Sequence, residues 1–289
     1  MLHKIAIQIL AFITAITLGI FAIGALLTAP APTAVGTLSA DFPVESVQIP
    51  AQNESTVHGW LVHGQPGGGV VLLAHSMRSN RLEMLSRARF LRDQGYSALF
   101  IDLQAHGETA GEKITFGLRE SENIETSIAF LRKTFPVELI GAIGVSLGAA
   151  AIVLAKHDLK LNAVILESLH PTIEEAVDNR LKLHFGNYGS VLLPLMLSQL
   201  SLYLDASIDA LSPITRINNL NAPLLIISGT DDAHTTQLET ERLYAAARAP
   251  KELWIVPGAR HFNMHAYAGR EYEQRISAFL SQYLRQNVD

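Results

Sequence analysis

The chain has 289 residues, 48% of them hydrophobic and 17% charged, which allows one large globular domain or two small ones. A net charge of -5 removes nucleic acid from the expected partners, because phosphate binding needs a basic face. The absence of cysteine excludes disulfides, thiolate metal sites and a cysteine nucleophile.

The first element is apolar. Ile5 to Leu27 carries no charged residue and is interrupted only by Gln8, Thr14, Thr17, Gly19 and Gly24. As a helix it runs roughly 34 Å, enough for a hydrocarbon core of about 30 Å. The apolar region of a cleaved signal peptide is shorter, about 7–15 residues. Residues 1–28 are therefore expected to remain as a membrane anchor. Lys4 precedes the segment and the next Lys or Arg is Arg78. By the positive-inside rule the N-terminus stays cytoplasmic and the catalytic domain lies on the exported side. Small residues at Ala29, Ala31 and Ala34 keep a second outcome open, secretion after cleavage. Residues 29–41, rich in Ala, Pro, Thr and Gly, read as a tether to a domain over 42–289.

Two partly alternating strands are expected at 44–49 and 57–63. From residue 70 the pattern becomes short apolar runs separated by helical segments: 70–74, 98–102, 139–145, 163–167, 224–228 and 252–256. Runs with no polar face belong to strands buried on both sides, as in a parallel sheet covered by helices. Ile124, Ile128 and Leu131, and later Tyr272, Ile276, Phe279 and Tyr283, supply the helical period between and after them. The fold class is α/β, a doubly wound and mostly parallel sheet. More than fifty residues separate Glu167 from Leu224, and the apolar run VLLPLMLSQLSLYL lies inside that interval. It reads as a short cap insertion, about 170–212, above the strand ends where open α/β sheets place ligands.

Gly144-Val145-Ser146-Leu147-Gly148 fits G-x-S-x-G between an apolar strand and an Ala-rich helix. A sharp strand-to-helix turn lifts the Ser146 hydroxyl to the sheet's edge. A serine nucleophile needs a base, and the base needs an orienting carboxylate. Later strand ends supply both, in the order Ser, Asp, His. Asp232 is assigned as the acid, with Asp231 and then Glu167 as rivals. His261 is assigned as the base, with His265 as its rival. Backbone N–H groups of Met77 and Leu147 are the candidate oxyanion donors. No His, Asp or Glu spacing implies a metal, and no cofactor is expected.

These segments together resemble the α/β-hydrolase superfamily, in its esterase and serine-peptidase-like branch with a small cap. The likeness spans about residues 55–285. It rests on LLAHSMRSNRLEM, GYSALFIDLQAHGET, Gly117 and Glu120 in TFGLRESENIETSIAFL, the run SPITRINNLNAPLLIISGTDD into the acid, and PGARHF. Ser76 stands where that family usually has Gly. The resemblance implies a serine hydrolase cleaving carboxylic esters or thioesters of a small acyl substrate, and the apolar cap and anchor suggest that its acyl chain is hydrophobic. The alternatives are a peptidase or amidase on the same residues and a non-catalytic lipid- or partner-binding protein.

Overall fold

The inner strands of the sheet, at 70–74, 97–101, 140–145, 163–167 and 224–229, are buried along their whole length, and their almost wholly apolar sequences are what that burial demands. The computed structural model describes residues 2–38, 41–51, 55–261 and 263–285, without the side chains of Leu2 and Ile13. In chain order the elements begin with α1 (Leu2–Thr28), β1 (Ala31–Pro32), β2 (Glu45–Pro50), β3 (Thr56–Val62), β4 (Val70–Ala74), α2 (Leu85–Asp93), β5 (Ser97–Ile101) and β6 (His106–Gly107). They continue with α3 (Glu120–Thr134), β7 (Ile140–Val145), α4 (Leu147–Val153), β8 (Ala163–Glu167), α5 (Ile173–Phe185) and α6 (Leu193–Leu204). The last are β9 (Leu224–Gly229), α7 (Gln237–Ala246), β10 (Lys251–Val256), α8 (Met264–Ala268) and α9 (Arg270–Leu284).

The main sheet has the order β10-β9-β8-β7-β4-β5-β3-β2. It is parallel from β10 to β5, and β3 pairs antiparallel with both β5 and β2. Alternate strand residues feed two apolar layers. Leu72, Ala142 and Leu166 pack with Ile124, Ile128 and Leu131 of α3 on one face. Leu73, Ile143 and Ile165 pack with Leu91 of α2 and Ile276, Phe279 and Leu280 of α9 on the other. Strand order leaves β4 in both directions, so the loops after β4 and β7 diverge and open a crevice at the strand ends.

The cap between β8 and β9 is built from α5 and α6. Asn179 of α5 donates to Glu239 of α7 at 2.8 Å, and Arg242 of α7 pairs with Glu175, fastening cap to domain.

The N-terminal helix is long and apolar enough over His3–Thr28 to cross a membrane, with a mean hydropathy of 2.5 over its most apolar stretch of 18 residues. Its C-terminal half is docked on the cap. One stripe, Ile20, Gly24, Leu27 and Thr28, turns inward at the i, i+4, i+7, i+8 spacing of a helix face. At Gly24 an added Cβ would stand 2.8 Å from Gln199 Oε1, so glycine is what lets α1 and α6 approach. Tyr203 of α6 donates its hydroxyl to the Phe21 carbonyl at 3.1 Å. Residues 29–41, read from composition as a tether, lie along the domain where they are described. Ala31–Pro32 pairs in parallel with His106–Gly107, and Val35 is buried.

Candidate active site

The turn after β7 sets the geometry. Ser146 holds φ 50° and ψ -102°, a left-handed backbone that a residue with a Cβ seldom adopts. The flanking glycines are there for space. A Cβ on Gly148 would strike the Ala74 carbonyl at the end of β4, and one on Gly144 would meet the Ala149 amide at 2.5 Å. Ser146 is 6% exposed and lines a cavity with Met77, Leu147 and the inner faces of α1, α5 and α6.

The loop after β4 forms the opposite rim. Glu83 accepts from the Ser76 amide at 2.9 Å and from its hydroxyl at 2.7 Å. The Ser76 hydroxyl is therefore turned into the loop's own bonding. Among the described residues, the amides of Met77 and Leu147 donate to no protein acceptor. Below the loop, the buried His75 ring accepts from the Leu103 amide through Nε2 at 3.0 Å, so its proton sits on Nδ1, 2.6 Å from the Ser76 carbonyl. Burial, with the neighbouring His106 charge, lowers its pKa to about 4 and keeps it neutral. Asp102 accepts from the Arg81 amide at 2.7 Å and the Glu108 amide at 2.9 Å and is paired with the Arg81 side chain. These groups tie loops together.

Asp232 and His261 meet directly. His261 Nδ1 lies 2.9 Å from Asp232 Oδ2 and 3.1 Å from Oδ1. Asp232 is buried and also accepts from the amides of His234 and Thr235, each at 2.9 Å. Burial alone would raise its pKa. The His261 hydrogen bond and charge, with those two amides, outweigh burial and hold the carboxyl below the usual range. The proton on Nδ1 leaves Nε2 as the basic nitrogen. Among the described residues, Ser146 and the His261 ring form no hydrogen bond, a contact that commonly tightens only with substrate.

The rival residues are engaged elsewhere. Asp231 is exposed and accepts from the Thr230 hydroxyl at 3.0 Å. Glu167 is fully buried between Arg87, 2.6 Å away, and the Tyr272 hydroxyl, also at 2.6 Å. His265 lies between Ser86 at 3.1 Å and Glu273 at 3.0 Å. Phe262, beside the proposed base, lies outside the described residues.

Two lining residues went unnoticed in the sequence. His170, three positions past β8, is 8% exposed and its Nε2 meets no protein partner among the described residues. Burial, then the charges of Arg180 and His261, lower its pKa to about 3, so it enters the cavity neutral. Arg180 of α5 lines the same cavity and donates to the Ala176 carbonyl at 2.7 Å. The signal for His170 was its place just past a strand end. Arg180 had none, since its cation resembles any helix-surface charge. No group of three or more His, Asp or Glu gathers to hold a metal among the described residues.

No family model matches the chain. It is 25% identical over 236 residues to the uncharacterized protein YqkD of Bacillus subtilis, covering 80% of this chain and 77% of that one. It is 23% identical over 258 residues to the uncharacterized protein YfhR of Escherichia coli K12, with 85% and 84% covered. Among solved structures, an esterase of Pyrococcus furiosus superposes with a TM-score of 0.74 at 21% identity, over 89% of this chain and 98% of that one. The alpha/beta hydrolase GrgF of a Penicillium superposes at 0.67 and 16% identity, over 84% and 99%. An Exiguobacterium antarcticum esterase gives 0.62 at 13% identity, over 82% and 100%. At such identities the likeness is one of fold, and the fold is that of the α/β hydrolases.

Proposed function

We propose, from this α/β-hydrolase fold, that the chain is a serine hydrolase cleaving carboxylic esters or thioesters through Ser146, His261 and Asp232. The observation that carries the reading is the Asp232–His261 pair, 2.9 Å apart, at the strand ends that also hold the strained Ser146 turn. In that reaction Ser146 Oγ attacks the acyl carbon and its proton passes to His261 Nε2. Asp232 holds the ring's tautomer and stabilises the imidazolium. The amides of Met77 and Leu147 receive the oxyanion. The leaving alcohol or thiol then takes the proton from His261, and an acyl-enzyme remains. Water, giving its proton to His261, attacks the acyl carbon, and Ser146 is released with the free acid. The apolar cavity lining favours an acyl chain over the peptide reading of the same residues.

α1 serves in this reading as a membrane anchor, with Lys4 on the cytoplasmic side and the catalytic domain exported. The test is hydrolysis of p-nitrophenyl esters of two to sixteen carbons by the full chain in detergent, beside Ser146→Ala. Activity that disappears with Ser146 supports the reading. Labelling of Ser146 by a fluorophosphonate without ester turnover would favour amides. Inertness to both removes Ser146 as a nucleophile.

A further inference from the structure

The cavity beside Ser146 does not end at the cap. Its walls include Gly24 and Leu27 of α1, Val177 of α5, and Met196 and Leu200 of α6. A second cavity follows α1 away from the serine, past Ile23 and Ile20 to Ile16, against Leu181 of α5. Leu27, Val177, Arg180 and Met196 border both. From Leu27 back to Ile16 the helix rises roughly 16 Å. The serine's chamber thus adjoins a groove long enough for an extended chain, lined almost wholly by hydrocarbon.

The groove lies along the one helix among the described residues that is long and apolar enough to enter a bilayer. Ile16 is near the middle of the candidate span His3–Thr28, so a membrane crossed by α1 brings the far end of the groove to lipid depth. The cap presents apolar side chains of its own: Leu183, Phe185, Tyr188, Val191 and Leu202 are between 49% and 87% exposed. Polar groups stand where the groove meets the serine: the unpartnered Nε2 of His170 and the Arg180 guanidinium. Apolar length with a polar end beside a nucleophile matches a lipid ester.

Resting on the ester-hydrolase reading of Ser146, we propose that the substrate is a long-chain acyl ester of a membrane lipid. Its acyl chain lies in the groove between α1 and the cap, entering from the bilayer. The anchor helix is thereby a wall of the binding site as well as a tether to the membrane. For an ester taken up from water, each methylene buried there favours binding by roughly fourfold, whereas a chain drawn from the bilayer has left water already and is selected by the shape of the groove.

The test uses the full chain in phosphatidylcholine nanodiscs with a sixteen-carbon acyl ester bearing a terminal diazirine. Photolabelling is mapped on wild type, Ser146→Ala and Gly19→Trp. Gly19 lines the groove and an added Cβ there meets nothing within 4 Å, so a bulky side chain can be set at this wall without a clash at its root. Label is expected on α1 and the facing residues of α5 and α6 in wild type and Ser146→Ala, and at least fivefold less of it in Gly19→Trp. The sixteen-carbon to four-carbon turnover ratio for p-nitrophenyl esters is expected to fall at least tenfold in Gly19→Trp. Label spread evenly over the lipid-facing side of α1, or a turnover ratio unchanged by Gly19→Trp, overturns the proposal. Groove labelling in a wild type that hydrolyses no ester of any length supports the acyl groove and overturns the hydrolase reading.

Discussion

Arg78 donates from its guanidinium to the Leu26 carbonyl, fastening the loop of the proposed oxyanion donor to the last turn of the N-terminal helix. A weaker contact reaches the Ala29 carbonyl at 3.4 Å, and Arg78 itself sits at φ 58°. The bond couples the rim of the site to the end of the helix.

From that bond, Arg78→Ala should lower kcat on a four-carbon ester by about fivefold to tenfold with KM little changed, because the Met77 amide loses its aim. Deleting residues 1–28 should cost more, since a cavity wall goes with it. Steady-state kinetics of the three proteins in one detergent measure this. Equal kcat in all three would mean that the helix leaves the rim untouched.

The two neighbouring aspartates should differ sharply. Asp232→Asn removes the charge that orients His261 and should lower kcat by roughly ten-thousandfold, as a wrong tautomer does in other triads. Asp231→Asn changes an exposed carboxylate whose one bond among the described residues is to Thr230, and should stay within about twofold. Comparable losses in both would reopen the choice of acid.

Stability should fall on acidification below about pH 6.5. His75 titrates at about 4 and His170 at about 3 in the folded chain, against an ordinary value near 6.5 when unfolded. Above pH 6.5 both rings are neutral in both states and add no slope. Below it the unfolded chain binds protons that the folded chain refuses, so unfolding becomes easier down to the folded values. At about 1.4 kcal/mol per pH unit, His75 alone removes roughly 3 kcal/mol by pH 4. Asp232 acts lower, since its depressed carboxyl stabilises the fold above the unfolded value near 3.9 and loses that effect only as pH falls through its own. Melting temperatures from pH 7.5 to 4.5 for wild type and His170→Gln give the check. The variant's curve should be flatter, and parallel curves would remove His170 from the account.

Glu167 and Arg87 should matter for folding and not for chemistry. Both are fully buried, and burial would lower the Arg87 pKa were it not outweighed by Glu167 and Tyr272, which raise it. Arg87→Met strands the Glu167 charge and should cost about 3–5 kcal/mol, while Arg87→Met with Glu167→Leu should recover most of it. Urea unfolding measures the cost, with fluorophosphonate labelling of Ser146 per folded molecule as the control. A double variant as unstable as the single one would contradict the pairing.

The sequence by itself determined the sheet, because strands buried on both faces must be apolar throughout. The runs at 70–74 and 163–167 coincide with β4 and β8. It also pointed to the Ser146 turn, whose geometry needs small neighbours on both sides. It could not choose between Asp231 and Asp232, adjacent carboxylates that differ only in which one the turn buries against His261. Nor could it reveal that Ala31 and Pro32 are strapped to the domain, since pairing to His106 and Gly107 leaves no mark on composition. The association of α1 with α6, and with it the groove, was decided only in three dimensions. Hydropathy records that a helix is apolar and is silent on whether lipid or protein covers each face. That depends on Gly24 meeting Gln199, residues 175 positions apart.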